Sequence, residues 1–148
     1  PSEAFLKTVC RHLDQHRLVT TKVYVIAPAY VEVSVQATIS LRTGFESATV
    51  LERVETALNN FLRPLAVETD PKSTGWPFGR TVFKSEIYQV IELVEGVDCV
   101  ERVVLTAVGN DISRDADGNI VIPPQALVVP GEHSIEVMFS EEECRRAR

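Results

Sequence analysis

Cysteine is scarce in this sequence of 148 residues. The three cysteines, Cys10, Cys99 and Cys144, are scattered along the chain and include no CxxC pair. An odd number of scattered cysteines does not describe a disulfide framework of the kind found in small secreted proteins. We therefore expect reduced thiols and a chain that works in the cytosol.

Long apolar runs and basic runs are also missing. No apolar stretch approaches the roughly 18 residues that a membrane-spanning helix needs, and the N-terminus lacks the pattern of a signal peptide. No run of five or more basic residues occurs, and the net charge is −6 with a pI near 5.1. These features argue against a membrane protein and against a nucleic-acid partner.

Histidine is as rare as cysteine, and this limits the catalytic chemistry. The chain has His12, His16 and His133, without a GxSxG motif, a Cys-His signature or a glycine-rich phosphate loop. Nucleophilic catalysis needs a serine or cysteine with a base and an orienting group. We therefore predict that the chain is not an enzyme and has no small-molecule substrate. A hydrolase would require a Ser/His or metal cluster brought together by the fold.

Two patterns resemble metal sites without completing one. His12 and His16 are four residues apart on one helix face, the geometry of helical zinc sites, but no HExxH glutamate and no third ligand accompany them. We expect a solvated helix face there. No metal and no cofactor are predicted.

The second pattern is an acidic segment that contains Asp111, Asp115, Asp117 and Gly118. A calcium loop requires a glutamate ligand six residues after its glycine, and position 124 is Pro124. The segment therefore predicts a β-hairpin turn.

The most regular pattern in the chain runs from Tyr30 to Leu41. Every second residue from Val31 onwards is apolar, and the residues between are polar. This period of two predicts a long, half-buried β-strand whose register is well fixed, because a slip of one residue would turn its valines towards water. The flanking segments are expected to cover its apolar face.

Three helices are predicted from apolar residues at helical spacing. They run from Ser2 to His16, from Ser47 to about Leu62, and from Ser85 to a left-handed C-cap at Gly96. The serine at the start of each is the expected N-cap. Further strands are predicted at Lys22–Ile26, Thr81–Phe83, Val97–Val108, Asn119–Ile122, Ala126–Val129 and Ser134–Phe139. The first of these is either a separate strand that shares a corner with the long strand or a part of that strand beyond a bulge at Ala27–Ala29.

This order of elements predicts an α+β fold. We expect a mixed or antiparallel sheet with two helices packed on one face, an N-terminal helix and a C-terminal β-rich extension. Residues 1–21 would form the N-terminal helix and a linker, 22–108 the α+β domain, and 109–148 a β-hairpin extension and tail. The chain begins with Pro1, which we interpret as a sign of a fragment of a longer protein or of a processed or partly ordered chain.

The segment from Arg63 to Arg80 breaks the regular pattern with prolines and glycines. It contains Trp76, Phe78 and Arg80, and two interpretations remain open. The aromatic side chains either fold back to plug the end of the core, or they are exposed and form part of a protein interface, where aromatic residues and arginine are enriched.

Two sequence blocks resemble one known family. The block from His12 to Ile39 contains a helix, an arginine-leucine-x-threonine-threonine turn, a proline corner ending in tyrosine-valine, and a long alternating strand. It is similar to the C-terminal part of the baseplate J-like assembly proteins of contractile phage tails and related contractile injection systems. The matching residues are Arg17, Leu18, Thr20, Thr21, Pro28, Tyr30 and Val31.

The second block, from Trp76 to Leu105, resembles the same family. It has tryptophan-x-phenylalanine-glycine-arginine, a serine-initiated helix, and glycine-valine before the next strand. Together the blocks cover a little under two fifths of the chain. The matching residues are Trp76, Phe78, Gly79, Arg80, Ser85, Gly96 and Val97.

The resemblance implies a structural function. A family member would be a baseplate wedge component that links the central spike and hub to the sheath. Its partners would be other wedge subunits including a second J-like protein, the sheath initiator and the spike or hub proteins, in a multi-copy ring. It would assemble in the bacterial cytoplasm and end in the finished tail or injection particle. The alternative is a ferredoxin-like domain that senses a small molecule or dimerises.

The same resemblance directs attention to seven residues. We expect them to lie at an interface or to position the domain: Arg17, Thr20, Thr21, Tyr30, Trp76, Phe78 and Arg80.

Overall fold

The computed structural model of the protein describes residues 1–66 and 74–138. In these ranges three helices and a mixed sheet confirm the predicted α+β class, with helices two and three on one face of the sheet. The elements are α1 Glu3–His16, β1 Ala29–Leu41, α2 Ser47–Phe61, α3 Lys84–Glu92, β2 Val97–Val108, β3 Ser113–Arg114, β4 Ile120–Val121, β5 Ala126–Pro130 and β6 Ser134–Met138.

Strand β1 lies at the centre of the main sheet. On one side it pairs with antiparallel β2, where Val35 lies opposite Leu105. On the other side it pairs with two parallel strands placed one after the other, first β5 and then β6. The strands that follow residue 109 therefore complete the main sheet, except for the short hairpin of β3 and β4, which forms a sheet of its own.

The core lies between β1 and the helices. The apolar positions of β1 are buried as its alternation predicts, from Val31 to Ile39. Helix α2 covers them with Val50, Val54 and Leu58, and α3 does so with Ile87 and Ile91. Burying one side chain of this size stabilises the fold by about 1.5 to 3 kcal/mol, so this layer makes a large apolar contribution to stability.

The predicted helix caps are correct for only one of the three serines. Ser2 accepts a hydrogen bond from the Phe5 N–H at 3.3 Å and caps α1. The predictions for Ser47 and Ser85 are wrong, because α2 and α3 begin earlier and their N-cap residues, Glu46 and Phe83, make no side-chain cap hydrogen bond.

Helix α3 is capped from elsewhere in the chain. The Asn119 Oδ1 atom accepts a hydrogen bond from the Lys84 N–H at 2.8 Å. Asn119 follows the Asp117–Gly118 turn of the β3–β4 hairpin, which confirms that turn. The hairpin thus satisfies a backbone donor that no local side chain reaches.

Two predicted strands are wrong or reduced. Residues 17–28, which include the predicted strand Lys22–Ile26, contain neither helix nor strand. The predicted strand Thr81–Phe83 is reduced to a single bridge in which Val82 and Ile120 exchange two backbone hydrogen bonds, of 2.9 and 3.1 Å. Of the predicted strand Ser134–Phe139, the last residue lies outside the described ranges.

The expectation of reduced thiols is wrong for one cysteine. Cys99 is disulfide-bonded, whereas Cys10 is free. Cys99 lies on β2 opposite Ser40 of β1, and its Sγ atom is 3.4 Å from the Ser40 Oγ atom. Cys144 lies outside the described residues.

Candidate assembly interface

Trp76 is built into the core rather than presented to solvent. Gly75, with φ of +70°, turns the chain so that the Trp76 N–H donates to the Arg63 carbonyl at 2.7 Å. The indole is 3% exposed and packs edge-on against Phe61, with ring centroids 5.3 Å apart. Its Nε1–H donates to the Arg80 carbonyl at 3.2 Å. The indole thereby meets both its apolar and its polar requirements inside the chain.

Arg80 holds the other side of the indole. Its guanidinium carbon lies 4.7 Å from the ring centroid of Trp76, within the range of a cation–π interaction. The same guanidinium forms an ion pair with Glu86, which lies in the first turn of α3. A carboxylate there is also favoured by the helix dipole. Arg80 therefore links the loop to α3.

Gly79 fixes the loop against the start of β5. Its N–H donates to the Ala126 carbonyl at 3.1 Å, and its φ is +65°. A Cβ atom at this position would lie 2.8 Å from the Cα atom of Pro124. The loop therefore fits only with glycine here. Between these fixed points Phe78 remains 58% exposed.

The predicted turn from Arg17 to Thr21 is present. The Thr21 N–H donates to the Leu18 carbonyl at 3.0 Å. Arg17 braces the turn, because its Nη1 donates to the Thr21 carbonyl and its Nε to Asp14 Oδ1, both at 2.7 Å. Thr20 and Thr21 are exposed. Arg17 therefore hydrogen-bonds to the backbone of its own turn, and the side chains of Thr20 and Thr21 remain exposed to solvent.

The seven predicted residues fall into separate groups. Trp76 and Arg80 form one internal cluster, and Arg17 and Thr21 form one turn. Tyr30 lies beside Leu127 at the start of β1 and is 53% exposed. Among the described residues, no ion pair, ring contact or hydrogen bond joins the cluster to the turn. They do not form one site, and a role at an interface stays a prediction for each of them.

Residues 1–28, which we call the arm, expose more apolar surface than was predicted. None of the residues of α1 is buried, and Phe5 and Leu13 on its apolar face are 59% and 40% exposed. After the helix, four more large apolar side chains are at least 70% exposed: Leu18, Val19, Tyr24 and Ile26. Within Lys22–Ile26 the burial alternates, since Val23 and Val25 are half-buried and Tyr24 and Ile26 are exposed, but the segment is not the strand of the chain's own sheet that was predicted.

The face of the sheet opposite the helices is open and polar. It carries a groove of about 240 Å³ whose walls come from three strands. The side chains of Arg102 and Glu136 lie on its two sides, in the row that Thr38 occupies on β1. The other residues that line it are Gln36, Ala37, Val104 and Ser134.

Metal binding and membrane insertion find no support in the described parts of the chain. The rings of His12 and His16 lie 4.7 Å apart on one helix face, and His16 Nδ1 is 2.9 Å from the His12 carbonyl oxygen. In residues 1–66 and 74–138, no three potential ligands among histidine, cysteine, aspartate and glutamate form a group that would hold a metal ion. No helix in these ranges has the length and apolar content needed to cross a bilayer.

Among the ionisable groups in residues 1–66 and 74–138, two are perturbed by their surroundings. The pKa of Asp115 is lowered, first by the hydrogen bond that its carboxylate accepts from the Asn119 side chain and then by backbone N–H groups of the hairpin. The pKa of His133 is lowered by burial, and the negative charge of Glu55 partly opposes this. Sequence reasoning counted His133 among the histidines but gave it no role.

No protein-family model matches the chain, and no curated protein matches it.

Proposed function

We propose that the chain is a structural wedge component of the baseplate of a contractile injection apparatus. It would act through protein contacts that link the central hub and spike to the sheath, in a phage tail or a related bacterial injection system. Its partners would be other wedge subunits, including a second J-like protein, the sheath initiator and the spike or hub proteins. Assembly would take place in the bacterial cytoplasm, and the chain would then be part of the particle.

The arm is the observation that carries this proposal. Its helix buries none of its residues, and Leu18, Val19, Tyr24 and Ile26 are exposed on the segment that follows. Large apolar side chains close together on a surface are typical of protein interfaces. A neighbouring subunit that covers the arm would bury this exposed apolar surface.

The distribution of charge supports the same role. The arm carries Lys7, Arg11, Arg17 and Lys22 against Glu3 and Asp14, a net charge of +2. Because the whole chain carries −6, the rest of it carries −8. A basic arm is attracted to acidic surfaces, and complementary charge of this kind speeds and orients association.

The two sequence blocks supply the specific assignment. Trp76, Gly79 and Arg80 of the second block hold the loop against α3 and β5. Arg17 of the first block braces the turn at the base of the arm. These residues stabilise the fold of this chain, as expected of an assembly subunit. They are the residues that carry the resemblance to the baseplate J-like proteins.

Co-expression with the neighbouring proteins of the same operon tests the proposal. The complex would be analysed by size-exclusion chromatography with light scattering, for the wild type and for the double variant Tyr24→Ser/Ile26→Ser. We expect the wild type to co-elute with a tail-like partner and the variant to elute as a free chain with unchanged thermal stability. The matched control is Leu93→Ser/Val108→Ser, at body positions that are 77% and 73% exposed. A wild-type monomer that ignores these neighbours would contradict the proposal.

The second candidate is a domain that senses a small molecule or dimerises through its sheet. It is favoured by the open polar sheet face with its groove of about 240 Å³. Such a domain would show a rise in melting temperature with one compound of a ligand screen, and the rise would disappear in Arg102→Ala. The wedge subunit would show no such ligand.

A further inference from the structure

The backbone pairing between β1 and its parallel neighbours is interrupted. The register of β5 ends where Pro130 lies beside Val33, and that of β6 begins where Ser134 lies beside Gln36. Residues 131–133 lie in this gap. At the gap a parallel strand has to be held by something other than the regular ladder.

A histidine ring closes the gap. The Nδ1 atom of His133 accepts a hydrogen bond from the Val35 N–H at 3.1 Å. This imidazole nitrogen takes the place of the carbonyl oxygen that a continuous strand would supply. Since Nδ1 accepts, the proton of the neutral ring is on Nε2. A side chain 98 positions away in the sequence thus satisfies a backbone donor of the central strand.

The connection before the ring has little freedom. The Gly131 N–H donates to the Val33 carbonyl at 2.8 Å. A Cβ atom at Gly131 would contact the Ser34 Oγ atom and lie 2.9 Å from Glu32 Cγ. The backbone therefore follows β1 closely up to His133, and the position of the ring is set by the strand itself.

The surroundings of the ring favour its neutral form. Its Nε2 atom is buried and has no hydrogen-bond partner among the described residues. Burial lowers the pKa of the ring, and Glu55 on α2 is the charged group whose field acts against this. The β1 side chains nearest in register, Val33 and Val35, carry no charge. Glu132 is exposed, and Glu136 lies on the open face of the sheet.

We propose that His133 is a proton-operated latch that holds β6 on β1. A proton from solvent added at Nδ1 removes the acceptor of the Val35 N–H and places two donors against each other. Strand β6 then separates from β1, and the edge of β1 from Gln36 to Ser40 becomes available to a strand of another chain. This inference does not depend on the proposed function.

The direction of the pH dependence follows from the linkage between protonation and docking. The docked ring binds its proton less readily than the free ring, whose pKa is near 6.5. Docking of β6 is therefore strongest above about pH 6.5 and weakens as the pH falls below that value. Below the pKa of the docked ring the weakening is complete.

Hydrogen–deuterium exchange of the full chain tests the latch. Exchange of the β6 amides would be compared at pH 7.5 and 5.5 after correction for the intrinsic rates. We expect β6 protection to fall by up to about tenfold at pH 5.5, because this pH lies one unit below the pKa of the free ring. In Glu55→Gln the total loss of β6 protection should be larger and should be complete only at a lower pH. The reason is that the negative charge that raises the pKa of the docked ring is gone.

A variant that keeps the hydrogen bond without titrating is the decisive comparison. In His133→Asn the amide oxygen replaces Nδ1 as acceptor, so β6 protection should be the same at both pH values. His12→Asn on the exposed face of α1 is the control and should respond like the wild type. Equal β6 protection of the wild type at both pH values, or a pH response retained in His133→Asn, would overturn the latch. If His133→Asn does not fold, the ring ¹⁵N shifts of the wild type decide, since a proton on Nδ1 at neutral pH also overturns it.

Discussion

The side chains of Trp76 and Arg80 hold each other in place. In the sequence alone they are only two residues of one loop. The indole donates to the Arg80 carbonyl, and the guanidinium stacks on the indole. Of the two interpretations of this loop, the structure has Trp76 in the core, with Phe78 outside it. The ion pair between Arg80 and Glu86 could not be predicted from the sequence. Many exposed acidic residues would have been equally good candidates.

Replacing Trp76 tests this structural role. Trp76→Ala should lower the free energy of unfolding by about 3 to 5 kcal/mol, because it empties a buried aromatic site and removes the stack with Arg80. Phe78→Ala, at the exposed position two residues on, should change it by no more than about 0.5 kcal/mol. Urea denaturation of both variants is the measurement. Wild-type stability of Trp76→Ala would show that the loop does not support the core.

Asn119 has a similar structural role that the sequence did not indicate. Its Oδ1 accepts from the first N–H of α3, while its Nδ2 donates to Asp115 Oδ2 at 2.7 Å. Asn119→Ala should therefore lower the free energy of unfolding by about 1 kcal/mol, the usual effect of a lost helix cap. Asn110→Ala at an exposed position is the control and should leave it unchanged.

The same variant should change the titration of Asp115. The Asn119 side chain is the main cause of the lowered pKa of this carboxyl, so in Asn119→Ala the pKa should move up towards its ordinary value. Wild-type stability held by this carboxylate is lost as the pH falls through the lowered pKa, and the variant should lose it at higher pH. An NMR titration of the Asp115 side chain measures the shift. An identical titration in both proteins would assign the lowering to the backbone donors.

Among the secondary-structure elements, the alternation of apolar and polar residues predicted a strand correctly only where other strands pair with the segment. From Val31 to Ile39 it predicted the buried face correctly, because β2, β5 and β6 pair with this strand and the helices cover it. From Lys22 to Ile26 the same kind of pattern is present without a strand. An alternation of period two shows that a segment is suited to a half-buried β-strand. Whether a partner strand is present depends on the rest of the fold. The gap between β5 and β6 could not be predicted for the same reason.

The turn after helix α3 depends both on a glycine in the local sequence and on packing against distant residues. The prediction that Gly96 is the C-cap of α3 is wrong, because the helix ends at Glu92 with Leu93 as its C-cap. Gly96 lies in the turn that follows, and its conformation is left-handed as predicted. Its φ is +104°, and a Cβ atom there would lie 2.6 Å from Val50 Cγ2 and 2.8 Å from Phe45 Cδ1. Sequence indicated the special conformation of this glycine, whereas the crowding is visible only in the packed structure.

A pair of glycine variants separates conformation from crowding. Gly44 has a φ of +93°, and a Cβ atom added there would have no atom within 4 Å, so Gly44→Ala should cost about 1 kcal/mol of left-handed strain alone. Gly96→Ala should cost about 1 to 3 kcal/mol more, because the new methyl group meets Val50 and Phe45. Thermal and urea unfolding of the two proteins give the comparison. Equal losses would mean that Val50 and Phe45 move aside freely.

For the whole molecule, the arm and the body are distinct in both packing and charge. Neither the unburied helix nor the basic character of the arm contributes to the core. A chain that begins at residue 29 should therefore have a melting temperature lower by about 5 °C or less, since the arm gives no residue to the buried core and only half-buried apolar side chains such as Val23 and Val25 are lost. Differential scanning calorimetry of the two proteins checks this. A loss of about 10 °C or more would place the arm against the body.

The central position of β1 has a consequence for the synthesis of the chain. Val35 is translated 98 positions before the His133 ring that receives its N–H. At about 5 to 20 residues per second, a ribosome needs roughly 5 to 20 s to produce the intervening chain. During this time the longest apolar strand has an open edge that its own β6 cannot yet occupy. The final sheet therefore forms only after β6 has been made, and until then the open edge of β1 is a site for strand-to-strand aggregation.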